Sequence, residues 1–201
     1  MECGRKRVKE GGAAPPSIMA LVVLLRGINV GGHRAFRPKL LAGDLGRFDV
    51  VNIGAAGTFV VRKPGVREDL RTALRARLPA GTQTVFCEGR ALLRLEAMIP
   101  LDAPPPHPGI IRFVSFLSSG TSARLVLPHS IPPGPDWFVR VTVVTNRLAV
   151  GEYRRHMKSI GYLGQLDELF GTYVTTRSWT TVNAVLRVLK NDQRIAAKGR
   201  C

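Results

Sequence analysis

A short apolar run that ends abruptly in an arginine and a glycine-rich loop constrains this chain more than any other feature. Residues 22–32 read VVLLRGINVGG. The apolar part is typical of a central strand, and a glycine-rich loop between a strand and a helix can hold an anion with its backbone amides. The spacing of Gly27, Gly31 and Gly32 fits neither the GxGxxG fingerprint nor a Walker loop. Alternatively, the glycines only allow positive φ angles, and Arg26 pairs with a nearby carboxylate.

The first half of the chain alternates strand and helix signals in a recognisable order. Apolar, partly β-branched runs predict strands, and apolar residues at helical spacing predict the helices between them. The predicted strands are 20–25, 50–53, 58–61 and 82–86, and the predicted helices are 36–45 and 64–78. The order strand, helix, strand, strand, helix, strand predicts a split βαβ, ferredoxin-like unit, in which an antiparallel sheet carries both helices on one face.

The second half has the pattern of a degraded copy of the first. Its predicted elements are strands at 110–117, 137–145, 147–151 and 173–175, a short helix at 162–170 and a final helix with Trp179, Val182, Leu186 and Leu189 on one face. A proline-rich segment, 127–136, takes the place of a regular first helix, and a further helix at 88–98 lies before the connector. We therefore predict an α+β protein with two ferredoxin-like (split βαβ) halves, the second degenerate, with antiparallel or mixed sheets and helices packed on one face.

The predicted domain organisation follows from these elements and from the proline content. It comprises a disordered basic tail (1–18), a first half (19–99), a proline-rich connector (100–109), a second half (110–190) and a C-terminal tail (191–201).

A second arginine occupies a predicted strand-to-helix junction, TTRSWTTV at 175–182. Thr176 or Ser178 can cap the helix, which would place Arg177 near the positive end of the helix dipole. An arginine there needs an anion or a carboxylate beside it, unless the segment is simply a well-capped helix with Trp179 in the core. Both arginine segments follow strands, as ligand loops in α/β sheets do. The leading hypothesis is a phosphate-bearing small ligand bound by Arg26, Gly27, Asn29, Gly31, Gly32, Thr176, Arg177 and Ser178.

The formal net charge of +16 favours weak, salt-sensitive binding of nucleic acid. Two groups of basic residues have a spacing that could follow phosphates. They are Arg67, Arg71 and Arg75 on one helix face, and Arg154, Arg155 and Lys158 in the segment YRRHMK. The alternative function is therefore a nucleic-acid-associated protein that acts through its basic surface. Either group could equally be an ordinary solvated face.

The remaining chemistry-bearing residues form no motif. Cys3, Cys87 and Cys201 are far apart, which offers neither a disulfide framework nor a metal knuckle and indicates a reducing compartment. The four histidines lack ligand spacing, and no serine sits in a GxSxG elbow. No apolar run approaches the ~20 residues that span a bilayer. We expect a cytoplasmic protein without metal, cofactor or membrane contact, and the sequence leaves its reaction, if any, and its oligomeric state open.

Two segments carry a family resemblance. LLRGINVGG at 24–32 and TTRSWTTV at 175–182 closely resemble the signature segments of the bacterial family known as domain of unknown function 1697. RFVSFL at 112–117 and GQLDELFG at 164–171 are similar in placement to segments of that family. The resemblance implies an α+β protein with ferredoxin-like halves and no established reaction, substrate or cofactor.

One segment departs from the family pattern. Where many members resemble YIQSGNVVF, this chain reads IGAAGTFVV at 53–61, so Ala55, Ala56 and Thr58 stand at the usual glutamine, serine and asparagine positions. Any family chemistry that used those polar groups is lost or altered here, unless they were only turn formers.

Overall fold

A computed structural model describes residues 20–28, 37–99 and 107–198 of the chain. Several predicted features fall outside these ranges: the tail 1–18, positions 100–106 of the connector, positions 199–201 of the second tail, and the loop residues Asn29, Gly31 and Gly32. In the described part of the chain, no helix combines the length and apolarity needed to cross a bilayer.

The first sheet has four strands, and each neighbouring pair is antiparallel. They are β1 (Leu21–Arg26), β2 (Val50–Ile53), β3 (Thr58–Val61) and β4 (Gln83–Glu88), in the order β2-β3-β1-β4 across the sheet. The sequence predicted all four. Successive side chains of β1 point to opposite faces and both faces are buried, which explains why this strand reads as a continuous apolar run.

Helices α1 (Pro38–Asp44) and α2 (Arg67–Arg75) cover one face of this sheet, and α3 (Gly89–Met98) follows β4 directly. Pro38 lies in the first turn of α1, where a missing N–H leaves no helical hydrogen bond unmade. The apolar cluster on this face joins leucines of the two helices to alternate residues of β1: Leu41, Leu70 and Leu74 with Leu21, Val23 and Leu25.

The second sheet has five strands, again with antiparallel neighbours throughout. They are β5 (Ile110–Leu117), β6 (His129–Ile131), β7 (Val139–Val144), β8 (Leu148–Arg154) and β9 (Val174–Ser178), in the order β6-β7-β8-β5-β9. The proline-rich segment contains no helix, as predicted, but it forms the short strand β6, which the sequence did not predict. Helices α4 (Lys158–Gly164) and α5 (Leu166–Phe170) cover the outer face.

One apolar cluster joins the two sheets. It combines Val22 and Leu24 of β1 with Val114 and Phe116 of β5, and the last helix, α6 (Trp179–Lys198), contributes Val182, Val185, Leu186 and Leu189. The two predicted helices, α1 and α2, share one face of the first sheet, whereas α3 and α6 pack on the other face, which the prediction of helices on one face did not include. The physical reason is that both faces of β1 are apolar, so each of them needs a cover.

The helices of the second half differ most from their predicted bounds. The helical segment predicted at 162–170 begins earlier, at Lys158, and is divided into α4 and α5. Helix α6 continues to Lys198, so residues 191–198 are helical rather than a tail. Arg62 holds this end of α6, because its Nε donates to Asp192 at 3.0 Å and this hydrogen bond raises the pKa of the guanidinium.

Candidate functional site

Arg26 is the last residue of β1 and pairs with a carboxylate of the second sheet's helical layer. Its Nη1 lies 2.8 Å from Oδ1 and 2.6 Å from Oδ2 of Asp167 on α5. The same Nη1 donates to the carbonyl oxygen of Val174 at 3.0 Å. Asp167 is fixed in turn by the backbone N–H of Val174, which donates to its Oδ1 at 2.8 Å. Arg26 therefore pairs with a nearby carboxylate, which was the alternative to an anion site in this loop.

Arg177 bonds four protein oxygens. Its Nε donates to Thr58 Oγ1 at 2.8 Å, and its Nη1 donates to the carbonyl of Thr176 at 2.9 Å. Its Nη2 donates to the carbonyls of Leu25 at 2.8 Å and Ala56 at 2.7 Å. Burial lowers the pKa of this guanidinium to about 10. The segment 53–61 thus supplies two of the four acceptors.

The predicted strand-to-helix junction is confirmed, because β9 ends at Ser178 and α6 begins at Trp179. Thr176, Arg177 and Ser178 are the last three residues of the strand. Pairing with β5 decides this, because the three residues stand opposite Ser115, Val114 and Phe113. Thr176 Oγ1 lies 2.7 Å from Ser115 Oγ, while Ser178 Oγ lies 3.3 Å from Thr181 Oγ1 in the first turn of α6.

The structure brings the two predicted arginine segments together. Arg26 reaches the backbone of the segment that carries Arg177, and Arg177 reaches the backbone of the segment that carries Arg26. Gly27 has a φ of +77°, as expected for a tight loop after β1, and the rest of that loop lies outside the described residues.

A second basic site, which we call the arginine cleft, opens between the two sheets. It has a volume of about 330 Å³ and is lined by eight residues: Arg67, Arg71, Arg75, Thr84, Phe86, Ser118, Arg147 and Tyr173. Helix α2 supplies three of the arginines because residues four apart return to the same helix face. Arg147 comes from the turn before β8, in the second half of the chain.

Positive charge dominates the arginine cleft. Arg67 Nη2 lies 3.7 Å from Glu88 Oε1, and Glu68 lies 3.4 Å from Arg71 Nη1 and 3.8 Å from Arg75 Nη1. Four guanidinium groups are thus opposed by two carboxylates, neither of which is among the lining residues. Such exposed pairs contribute only ~0–1 kcal/mol each, so an incoming anion can replace them.

The opposite wall of the arginine cleft is held in place by backbone contacts. Arg147 Nη2 donates to the carbonyls of Leu117, at 3.3 Å, and of Ser118. The Tyr173 hydroxyl donates to the carbonyl of Thr84 at 3.3 Å, which ties the second sheet to β4. The Arg71 guanidinium lies 5.3 Å from the ring centroid of Phe86.

The sequence predicts only part of this cleft. The row Arg67, Arg71 and Arg75 was predicted as a nucleic-acid stripe because of its spacing. Arg147 and Tyr173 were missed, as was the rest of the opposite wall, because they come from separate turns with no local pattern. No sequence signal could have found them without knowledge of how the two sheets pack.

The second predicted basic group lies elsewhere. Arg154 ends β8, whereas Arg147 precedes its first residue, so the two side chains are about 20 Å apart along an extended strand. Arg155 and Lys158 follow Arg154 and are exposed. The six basic residues of the nucleic-acid alternative therefore form two separate surfaces.

Groups suited to other chemistry are sparse. Burial raises the pKa of the Cys87 thiol to about 12. Nδ1 of His107 and Nδ1 of His156 accept backbone N–H groups of Gly109 and Lys158 at 3.0 and 3.2 Å. Across the ranges that the structure describes, no group of His, Cys, Asp and Glu residues has the arrangement of a metal site.

The fold and the arginine cleft define an α+β protein with two antiparallel sheets and a basic cleft between them. Comparison with family models, with curated proteins and with solved structures gave no match to this chain.

Proposed function

We propose that this protein binds a phosphate-bearing small molecule in the arginine cleft. The observation that carries the proposal is the convergence of four guanidinium groups in one open cavity, whose walls also carry the hydroxyls of Thr84 and Ser118. Guanidinium groups bind phosphate oxygens in bidentate fashion, and hydroxyls complete the coordination of such a group. The volume of about 330 Å³ is at the small end of ligand pockets, which suits a compact anion.

The hydrogen-bonding state of the four arginines supports this choice. The charge pairs of Arg67 and Arg75, at 3.7 and 3.8 Å, are too long to be hydrogen bonds, so these guanidinium groups keep N–H donors for a ligand. Arg147 is oriented by backbone carbonyls, which add no opposing charge. A phosphate would exchange weak ion pairs for charge-assisted hydrogen bonds, which are stronger.

The ligand hypothesis for Arg26, Gly27, Thr176, Arg177 and Ser178 stays a prediction. The side chains of Arg26 and Arg177 already bond protein oxygens, so we place the phosphate in the arginine cleft instead. This choice keeps the class of ligand that the sequence predicted and changes its location.

Calorimetric titration with inorganic pyrophosphate, and separately with a nucleoside triphosphate, tests the proposal. Arg75→Gln removes one guanidinium whose side chain is 77% exposed, so folding should not suffer. Arg147→Gln removes the guanidinium on the opposite wall. Each variant should weaken binding by about tenfold or more, since a hydrogen bond to a charged group contributes ~1.5–3 kcal/mol.

Arg187→Gln is the matched control. Arg187 is exposed on α6, which contributes nothing to the lining of the arginine cleft. Equal weakening by all three variants would show that net charge alone attracts the anion. If both cleft variants bound the phosphate compounds with wild-type affinity, the proposal would be wrong.

We also propose that the two halves are ferredoxin-like and that the chain is a divergent member of the family called domain of unknown function 1697. The order β2-β3-β1-β4 supports the first point, and β7-β8-β5-β9 repeats it in the second sheet when the added edge strand β6 is set aside. The contact between the two signature segments supports the second point.

A cytoplasmic location fits the buried, unpaired thiol of Cys87.

A further inference from the structure

A cluster of aromatic rings, which we call the aromatic patch, lies near the C-terminal end of β8. The arginine cleft lies near the other end of this strand. Phe138 and Tyr162 stack with centroids 5.2 Å apart and an interplanar angle of 6°. The imidazole of His156 lies 5.2 Å from the centroid of Phe138, tilted by 45°. Because His156 is exposed and the other two rings are half-buried, the patch reaches the surface.

Cations surround the aromatic patch. Trp137 precedes Phe138 of the patch in the chain. The guanidinium of Arg140 lies 4.1 Å from the centroid of the Trp137 ring, and that of Arg154 lies 4.9 Å from it. Lys158 Nζ lies 5.9 Å from the centroid of Phe138. Arg155 and Lys158 are exposed, and neither has a carboxylate partner within the ranges that the structure describes.

Few negative charges oppose these cations. Asp136, Glu152 and Asp167 lie within five residues of a ring of the aromatic patch in sequence, and Asp167 is engaged with Arg26. Glu152 is engaged with Arg112, whose Nε lies 3.4 Å from its Oε1. The local excess of positive charge therefore calls for an anionic partner.

We infer that the aromatic patch is a binding site for single-stranded nucleic acid. Unpaired bases stack on aromatic side chains while basic residues follow the phosphates, and this patch supplies both kinds of group. Met157 and Ile160, which are 87% and 75% exposed, add apolar surface beside the rings for a base to cover. Duplex bases are already stacked on one another, so a base pair could not use the rings in this way.

The apolar part of this surface is too small for a membrane anchor. Met157 and Ile160 are the two large apolar side chains that project here, and α4 has seven residues. An interfacial helix needs a longer apolar face to insert between lipid headgroups. Among polyanions, the aromatic rings favour a single strand over a lipid surface.

Fluorescence anisotropy with a labelled oligothymidylate of about 15 nucleotides tests the inference at several salt concentrations. The double variant Arg155→Gln with Lys158→Gln should reduce the slope of log Kd against log salt by about 1.4, since each single-strand phosphate contact contributes about 0.7. His156→Ala, measured at pH 8, should weaken binding about tenfold and leave the slope unchanged, because it removes a stacking surface.

The controls separate this site from the overall charge and from the arginine cleft. The double variant Arg187→Gln with Lys198→Gln removes the same amount of charge from α6. The variant Arg75→Gln alters the arginine cleft. Neither control should change the Kd for the oligonucleotide by more than twofold. Equal losses in both double variants would overturn the inference. Tighter binding of a duplex of the same length, or binding of phosphatidylserine vesicles without binding of the oligonucleotide, would also overturn it.

Discussion

Arg26 and Arg177 each donate a hydrogen bond to the backbone of the segment that carries the other. Arg26 Nη1 bonds the carbonyl of Val174 at 3.0 Å, and Arg177 Nη2 bonds the carbonyl of Leu25 at 2.8 Å. These reciprocal bonds tie β1 of the first sheet to β9 of the second. The two arginine-bearing segments are therefore two sides of one contact between the halves of the molecule.

Replacement of Arg177 should destabilise the fold strongly. Arg177→Met keeps the apolar stem but leaves the carbonyls of Leu25 and Ala56 without their donor. We expect a loss of about 2–4 kcal/mol in the free energy of unfolding, measured with urea. Arg177→Lys should recover only part of it, because one ammonium cannot reach four acceptors. If Arg177 acted only on a ligand, stability would hardly change.

Arg26 and Asp167 should be coupled more weakly. Their side chains are 35% and 34% exposed, so solvent screens the pair. A double-mutant cycle with Arg26→Gln and Asp167→Asn should give a coupling energy of about 1 kcal/mol. The coupling should shrink in high salt, where exposed charges are screened further. A coupling that does not respond to salt would mean that the hydrogen bonds outweigh the charges.

The sequence predicted the elements of this fold better than their ends. The strands of the first sheet were found because each is a compact apolar run between turn residues. The junction around Arg177 was predicted correctly, but the strand was predicted to end at residue 175; pairing with β5 extends it to Ser178. The start of α4 was missed because Met157 and Ile160 are exposed and obscure the amphipathic pattern.

The candidate sites were predicted less completely than the fold. Spacing identified the arginine row of α2, since a helix face is a local property. Arg147 and Tyr173 face this row only because two sheets pack together, and that contact joins residues distant in sequence. The aromatic patch is similar: Phe138, directly before β7, meets Tyr162 of α4 through the packing of α4 on the second sheet.

Cys87 should be chemically silent in the native protein. Its pKa of about 12 keeps the thiol protonated at neutral pH, and the thiolate is the reactive form. In a chain with Cys3→Ser and Cys201→Ser, iodoacetamide at pH 8 should modify the unfolded protein quickly and the native protein only as it unfolds. Rapid modification of the native protein would show that β4 opens readily at its edge of the sheet.

The same thiol should make stability fall as the pH rises. The folded pKa of Cys87 is raised from 9 to about 12, so between these values the folded state binds more protons than the unfolded state. The free energy of unfolding should therefore decrease with pH in this window, by up to ~1.4 kcal/mol per unit. Cys87→Ala should lack this contribution, and urea titrations at pH 9 and pH 10.5 would compare the two slopes.

Gly57 and Gly54 offer a matched pair for the turn that Arg177 contacts. Both have positive φ, +66° and +67°, so an alanine is strained at either position. At Gly54 a Cβ would meet nothing within 4 Å, whereas at Gly57 it would lie 2.9 Å from Leu25 Cβ and would clash with Ile28 Cδ1. Gly54→Ala should cost about 1 kcal/mol and Gly57→Ala about 2–4 kcal/mol in urea denaturation. Equal losses would mean that the turn moves away from β1 at little cost. In that case, the close packing of the segment 53–61 on β1 would not explain the position of Arg177.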